Sequence, residues 1–306
     1  MRVLHTTLLK SGIDAIRELD PRPLQVIESS LSDQVPNCHL IQQLYALIGT
    51  RESLATLVSS LSSSPPGTWI EAAQVIGPLM QRDNWPLDAV YPAALDCLQH
   101  ATLAAPLLDL ANYVYRRQRV DSHPASSRIA LLNHLLGEVA GRLGEFEENP
   151  RAFGDDVDTV QERLGEAVAL AVSLCDTVGL IGEPSSIGKL NQVIELRHRR
   201  VQCEAAGALA RLGDDLGKKR LLELVAEPAA RLRAIAYADE LEFGELVDEQ
   251  YRSDQATAEA EMALWLTQPQ QFGVPPTSVE VIDSRRLMWP SFENPVDVFL
   301  VHFDYS

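Results

Sequence analysis

A short run at Val201–Asp215, VQCEAAGALARLGDD, constrains the fold more than any other part of the chain. Ala205, Ala206, Ala208 and Ala210 keep a helix surface narrow enough for a neighbouring helix to approach closely, and Leu209 and Leu212 supply the larger apolar contacts. Gly213 suits a left-handed helix end, and Asp214 or Asp215 suits the cap of the next helix. An amphipathic helix is expected at Lys218–Pro228, after which LRAIAYADELEFGE at Leu232–Glu245 repeats the pattern loosely. A shift of 31 residues sets Val201 on Leu232, Ala205 on Ala236, Leu212 on Phe243 and Gly213 on Gly244. One such helix pair cannot bury its apolar faces alone, so neighbouring pairs must stack.

The segment AAGALARLGDD, Ala205–Asp215, resembles the HEAT-repeat family in its bacterial form, with an AAxALxxLGD helix end. Ala236 and Gly244 match a second, more degenerate copy, and Gly179–Leu196 stands where the preceding copy's turn and next helix would fall. The resemblance covers about 60 residues, roughly 184–245. It implies an all-α protein, a HEAT-like α-solenoid of stacked antiparallel helix pairs, used as a scaffold or adaptor without a cofactor.

The rest of the chain is consistent with helices. In Cys38–Ser62 two apolar faces, Leu40/Ile41/Leu44/Leu47/Ile48 and Leu54/Leu57/Val58/Leu61, flank Gly49-Thr50, a break that predicts a helix pair. Pro21, Pro23 and Pro36 separate short helices before it, and Ser59–Gly67 reads as a loop. Further helices are expected at 68–82, 86–100, 102–119, 124–143 and 157–178, with an exposed acidic loop over Gly144–Asp158. After Gly273-Val274-Pro275-Pro276 the period changes to two, and Val296–Tyr305 predicts a strand with Phe299, Val301, Phe303 and Tyr305 on one face. That strand either pairs back onto the helices or continues into further chain. The expected organisation is a divergent helical region at 1–150, HEAT-like repeats at 151–270, and a Pro-rich linker with a short β-like segment at 271–306.

Of 306 residues, 46% are hydrophobic and only 6% aromatic, which suits closely packed helices better than sheets. Asp and Glu number 43 against 26 Lys and Arg, a formal charge of −17 that repels nucleic-acid backbones and anionic membranes alike. No run of about 18 or more apolar residues appears, so no membrane span is expected, and the four scattered cysteines (Cys38, Cys97, Cys175, Cys203) form no CxxC, so a reducing cytoplasm is the expected setting.

Catalytic signatures are weak. In GEPSSIGKL, Gly182–Leu190, five residues separate the glycines instead of four, and Leu190 stands where a phosphate-binding loop needs Ser or Thr. The seven histidines show no HExxH, no zinc spacing and no His-Glu dipeptide of the kind iron-binding HEAT-like enzymes carry. No G-x-S-x-G elbow occurs. No catalytic, cofactor-binding or metal-binding residue is therefore assigned.

Charge distribution is the one functional lead. Lys189–Arg233 holds ten basic residues against six acidic, while 234–272 holds nine acidic residues against Arg252. Arg197, Arg199, Arg200, Arg231 and Arg233 fall near helix starts about one repeat apart, which predicts a basic ridge able to grip carboxylates on a protein partner. The competing expectation is that these arginines pair with Glu204, Asp214, Asp215 and 239–242 inside the fold. Two other functions remain open: a helical targeting portion of a larger enzyme or regulator, and nucleic-acid binding along 197–233. Oligomeric state is left undecided.

Overall fold

The computed structural model describes residues 2–30, 38–268 and 271–305. It is mostly helical, with one two-stranded antiparallel sheet. Its contacts divide the chain into two compact units, Met1–Glu183 and Pro184–Ser306. The expected turn at Pro36 lies outside the described residues.

The first unit opens with α1 (Arg2–Ser11), α2 (Ile13–Arg17) and α3 (Arg22–Ser30). The expected pair follows as α4 (His39–Ile48) and α5 (Arg51–Ser63). Gly49 takes a left-handed φ of 66° and its N–H donates to Tyr45 O at 3.0 Å, while Thr50 Oγ1 accepts from Ser53 N at 3.2 Å. Arg82 completes the end of α4 by donating to the Leu47 and Ile48 carbonyls at 2.9 and 3.3 Å, groups that a helix terminus leaves unbonded. Next come α6 (Trp69–Met80), capped by Thr68, and two 3-10 turns at Leu87–Ala89 and Ala93–Gln99. The helix expected at 86–100 is thus broken, because Pro92 within it supplies no backbone donor.

The unit is completed by α7 (Ala101–Arg116), α8 (Ile129–Glu148) and α9 (Val157–Ile181). Packing proceeds from α4 to α6, α6 to α7, and α7 to α9, with α8 against α9. The loop expected over Gly144–Asp158 is helix as far as Glu148. Buried Leu143 holds the last turns of α8, and Phe146 meets Phe153 of the following 3-10 turn at a centroid distance of 5.0 Å. Acidic composition there marks a wet helix face, and the first compact unit extends through Glu183. By length and composition α9 alone among the described helices could cross a membrane, but 61% of its most apolar stretch is buried inside the fold.

The second unit contains α10 (Ile187–Val193), α11 (Arg199–Arg211), α12 (Asp215–Leu224), α13 (Pro228–Glu240) and α14 (Asp254–Leu266). Ala205, Ala206 and Ala208 are completely buried, as their size predicted. At Gly217 of α12 a Cβ would lie 2.4 Å from Ala210 N and 2.6 Å from Ala206 O, so α11 and α12 approach backbone to backbone. Successive helices α11, α12, α13 and α14 pack on one another, and α11 also packs on α13.

The offset between the ends of α11 and α13 differs from the expected 31. Helix α11 ends with Leu212 N–H on Ala208 O, Gly213 N–H on Ala210 O and Asp214 N–H on Leu209 O. Helix α13 ends identically 29 residues later, with Leu241, Glu242 and Phe243 bonding to Tyr237, Asp239 and Ala238. Gly213 at φ 78° therefore corresponds to Glu242 at φ 61°, not to Gly244. Aligning glycine with glycine misplaced the register because a non-glycine residue takes the left-handed position in the second copy.

After α14 the chain forms β1 (Ser278–Leu287) and β2 (Val296–Asp304). The antiparallel register runs from Ser278 opposite Asp304 to Leu287 opposite Val296, with an irregularity between Val281 and Asp283. The strand expected at 296–305 thus pairs with a preceding partner. Val281 N–H donates to Glu259 Oε1 of α14 at 3.3 Å, and Phe272 packs on Tyr305 at 4.9 Å between centroids.

Candidate partner-binding surface

The arginines near the starts of α11 and α13 divide into three environments. Arg197 and Arg200 are exposed. Arg199, the first residue of α11, donates to Gln202 Oε1 at 2.9 Å and reaches Glu227 Oε1, just before α13, at 3.2 Å. His198 between them is held below its ordinary pKa by burial, reinforced by the Arg200 charge. Neutral at pH 7, it offers Nδ1 to Val201 N–H at 3.4 Å as the cap of α11.

Arg231 does not belong to a surface ridge. It is only 4% exposed and donates to Val225 O at 3.0 Å, Ala226 O at 3.3 Å and Ala256 O at 2.7 Å. Its ion pair with Glu259 is 3.1 Å, and its guanidinium lies over the Tyr251 ring. The carbonyls ending α12 draw this cation inward, joining α12, α13 and α14. Arg233 is exposed yet paired: it grips Glu204 at 2.8 and 3.0 Å, bonds Tyr237 Oη at 3.0 Å and stacks on the Tyr237 ring. Glu204 is itself buried and accepts the Tyr237 hydroxyl. Internal pairing thus buries Arg231 and ties Arg233 and Arg199 to carboxylates while leaving both partly accessible, and Arg197 and Arg200 are exposed.

The pairs follow the helix register. Glu204 and Arg233 are 29 residues apart, as are Arg211 and Glu240, which meet at 2.6 Å. That separation equals the offset between the two helix ends, so each ion pair joins corresponding positions of α11 and α13. Two side-by-side helices running in the same direction and in register produce this ladder.

Elsewhere most buried polar side chains are paired within the fold, although Ser186 Oγ and Asn191 Oδ1 are buried without a hydrogen-bond partner. The stretch Gly182–Leu190 forms the left-handed end of α9, a 3-10 turn and the start of α10, with Lys189 facing Gln192 Oε1 at 3.5 Å. In the first unit a buried network links α7 to α9. His123 Nε2 bonds Asn112 Oδ1 at 2.9 Å, Asn112 Nδ2 donates to Asp176 Oδ2 at 3.1 Å, and Arg116 holds Asp176 Oδ1 at 2.6 Å. Ser173 donates to Asp109 Oδ1 at 2.6 Å and to Ala169 O at 3.0 Å. A cleft of about 440 Å³ is lined by Leu98, Leu135 and Leu170 with Glu138 and Arg142. Its polar groups are partly engaged, Glu138 by His134 at 3.4 Å and Arg142 over the Phe153 ring.

Sequence reading missed the apolar tip of the hairpin. Met288, Trp289 and Phe292, in the connection between β1 and β2, are all at least half exposed. The signal was present: LMWPSF, Leu287–Phe292, places four large apolar residues in a turn, where polar residues are usual. No family model, no curated protein and no solved structure matches the chain.

Proposed function

We propose that the chain is a non-catalytic scaffold: a HEAT-like solenoid of helix pairs that captures a protein partner in the cytoplasm, with Arg197 and Arg200 as the charged contacts and Arg199 beside them. The observation that carries this reading is the in-register ladder between α11 and α13, the relation expected of first helices in consecutive stacked repeats. Repeat arrays of this kind present extended surfaces for partners rather than enclosed reaction sites.

The test is capture of partners from native lysate by the intact chain, compared with Arg197→Glu/Arg200→Glu. The double variant is expected to lose a reproducible partner at low salt while keeping its far-ultraviolet circular dichroism, since both side chains are exposed. Capture by the native chain should weaken at ~0.5 M salt, where exposed charges are screened beyond about 4 Å. Undiminished capture by the double variant would remove the arginines from the account.

A further inference from the structure

A two-stranded ribbon is marginally stable in water without a cover, and this one carries apolar side chains on both faces. The register puts Leu287, Val296, Val298 and Leu300 on one face and Val281, Phe299, Val301 and Phe303 on the other. Ile282 at the irregularity and Leu287, Met288, Trp289, Phe292 and Leu300 beyond it are all between 42% and 65% exposed. At ~200 Å² for a large side chain they present roughly 650 Å² of accessible apolar surface, more than the few hundred usual on a monomer. Roughly 800 Å² per partner makes a standard interface, so one additional ribbon of equal size would be an adequate cover.

The two open edges are not equivalent. On β1 the Glu259 carboxylate already accepts the Val281 N–H, and Arg285 and Arg286 occupy the strand farther along. On β2 six of nine residues are apolar, with no proline or lysine to discourage pairing. Its two aspartates, Asp297 and Asp304, stand near opposite ends. Parallel in-register pairing of two such strands would set Asp297 on Asp297 and Asp304 on Asp304. Antiparallel pairing about Leu300 instead sets Asp297 opposite Phe303, Asp304 opposite Val296, and Phe299 opposite Val301.

We infer that β2 is a self-association edge: two copies pair β2 against β2 in antiparallel fashion across a twofold axis at Leu300, forming a four-stranded sheet. This contact is independent of the arginine surface.

Sedimentation velocity of the full chain from ~1 to ~100 µM tests it, the dimer fraction growing by mass action. The expected result is a dimer that Leu300→Lys converts to monomer across the same range, because two like charges then meet on the axis. Circular dichroism should show unchanged helix, since Leu300 is exposed. Leu300→Cys should cross-link to its own copy on oxidation, and Arg286→Glu on β1 should leave the dimer intact. A native chain that stays monomeric, a dimer that persists in Leu300→Lys, or a dimer lost only in Arg286→Glu would each overturn the assignment.

Discussion

At the residue scale, burial decides what the polar groups can do. The Nδ1 of His123 accepts Ala125 N–H at 3.2 Å while its Nε2 faces Asn112, so an added proton would confront a backbone donor. Burial, partly opposed by the Asp176 carboxylate, lowers its pKa to about 4. The unfolded chain takes up that proton near pH 6.5 and the folded chain only near pH 4. Stability is therefore retained above 6.5 and lost as pH falls from there through 4, by about 3 kcal/mol from this group. Urea midpoints measured against pH should show the loss, and His123→Gln should flatten it; an unchanged slope in that variant refutes the assignment. Arg231 is the second such residue. Arg231→Ala removes the donor to Glu259 Oε2 and to three carbonyls and should cost about 3–5 kcal/mol, whereas a surface arginine would cost under about 1 kcal/mol. Chemical denaturation separates the two. The same burial explains why the ridge was only partly legible. Charge and spacing are visible in Arg197 to Arg233, but the inward pull of the α12 carbonyls on Arg231 depends on a three-helix junction that no local pattern records.

At the element scale, close approach and helix ends make separate demands. Gly217→Ala would drive a methyl group into the backbone of α11, and Gly207→Ala would drive one into the buried Tyr237 ring. Each should destabilise by about 1–3 kcal/mol, while Gly188→Ala in α10, where nothing lies within 4 Å, should not. Thermal melts of the three variants check this. Glu242→Gly should gain about 1 kcal/mol by relieving a left-handed residue, and no gain would mean the turn is otherwise constrained. The α4–α5 pair was legible because Gly49 and Thr50 are local signals with local partners. The hairpin strands were legible in part, since alternation over 296–305 reports a strand without naming its neighbour. The offset of 29 was hidden by Glu242, and the continuation of α8 past Gly144 by an acidic face that resembles a loop in composition. Trp289 and Phe292 were readable as apolar turn residues, but their exposure required the hairpin.

At the scale of the whole molecule, the formal charge of −17 sets a repulsive background. Most ion pairs involve at least one exposed partner and lose little on screening, so the repulsion should dominate the response to salt. Raising ionic strength from ~20 to ~200 mM should therefore raise the melting temperature; a fall would show that the ion pairs outweigh it. Another molecular property follows from the place of α9 in the chain. During synthesis this helix emerges after α7, α8 and the 3-10 turn at Pro150–Phe153, against all of which it packs. A segment with the composition to enter a lipid bilayer thus leaves the ribosome after the helices that bury most of its apolar stretch have already been made.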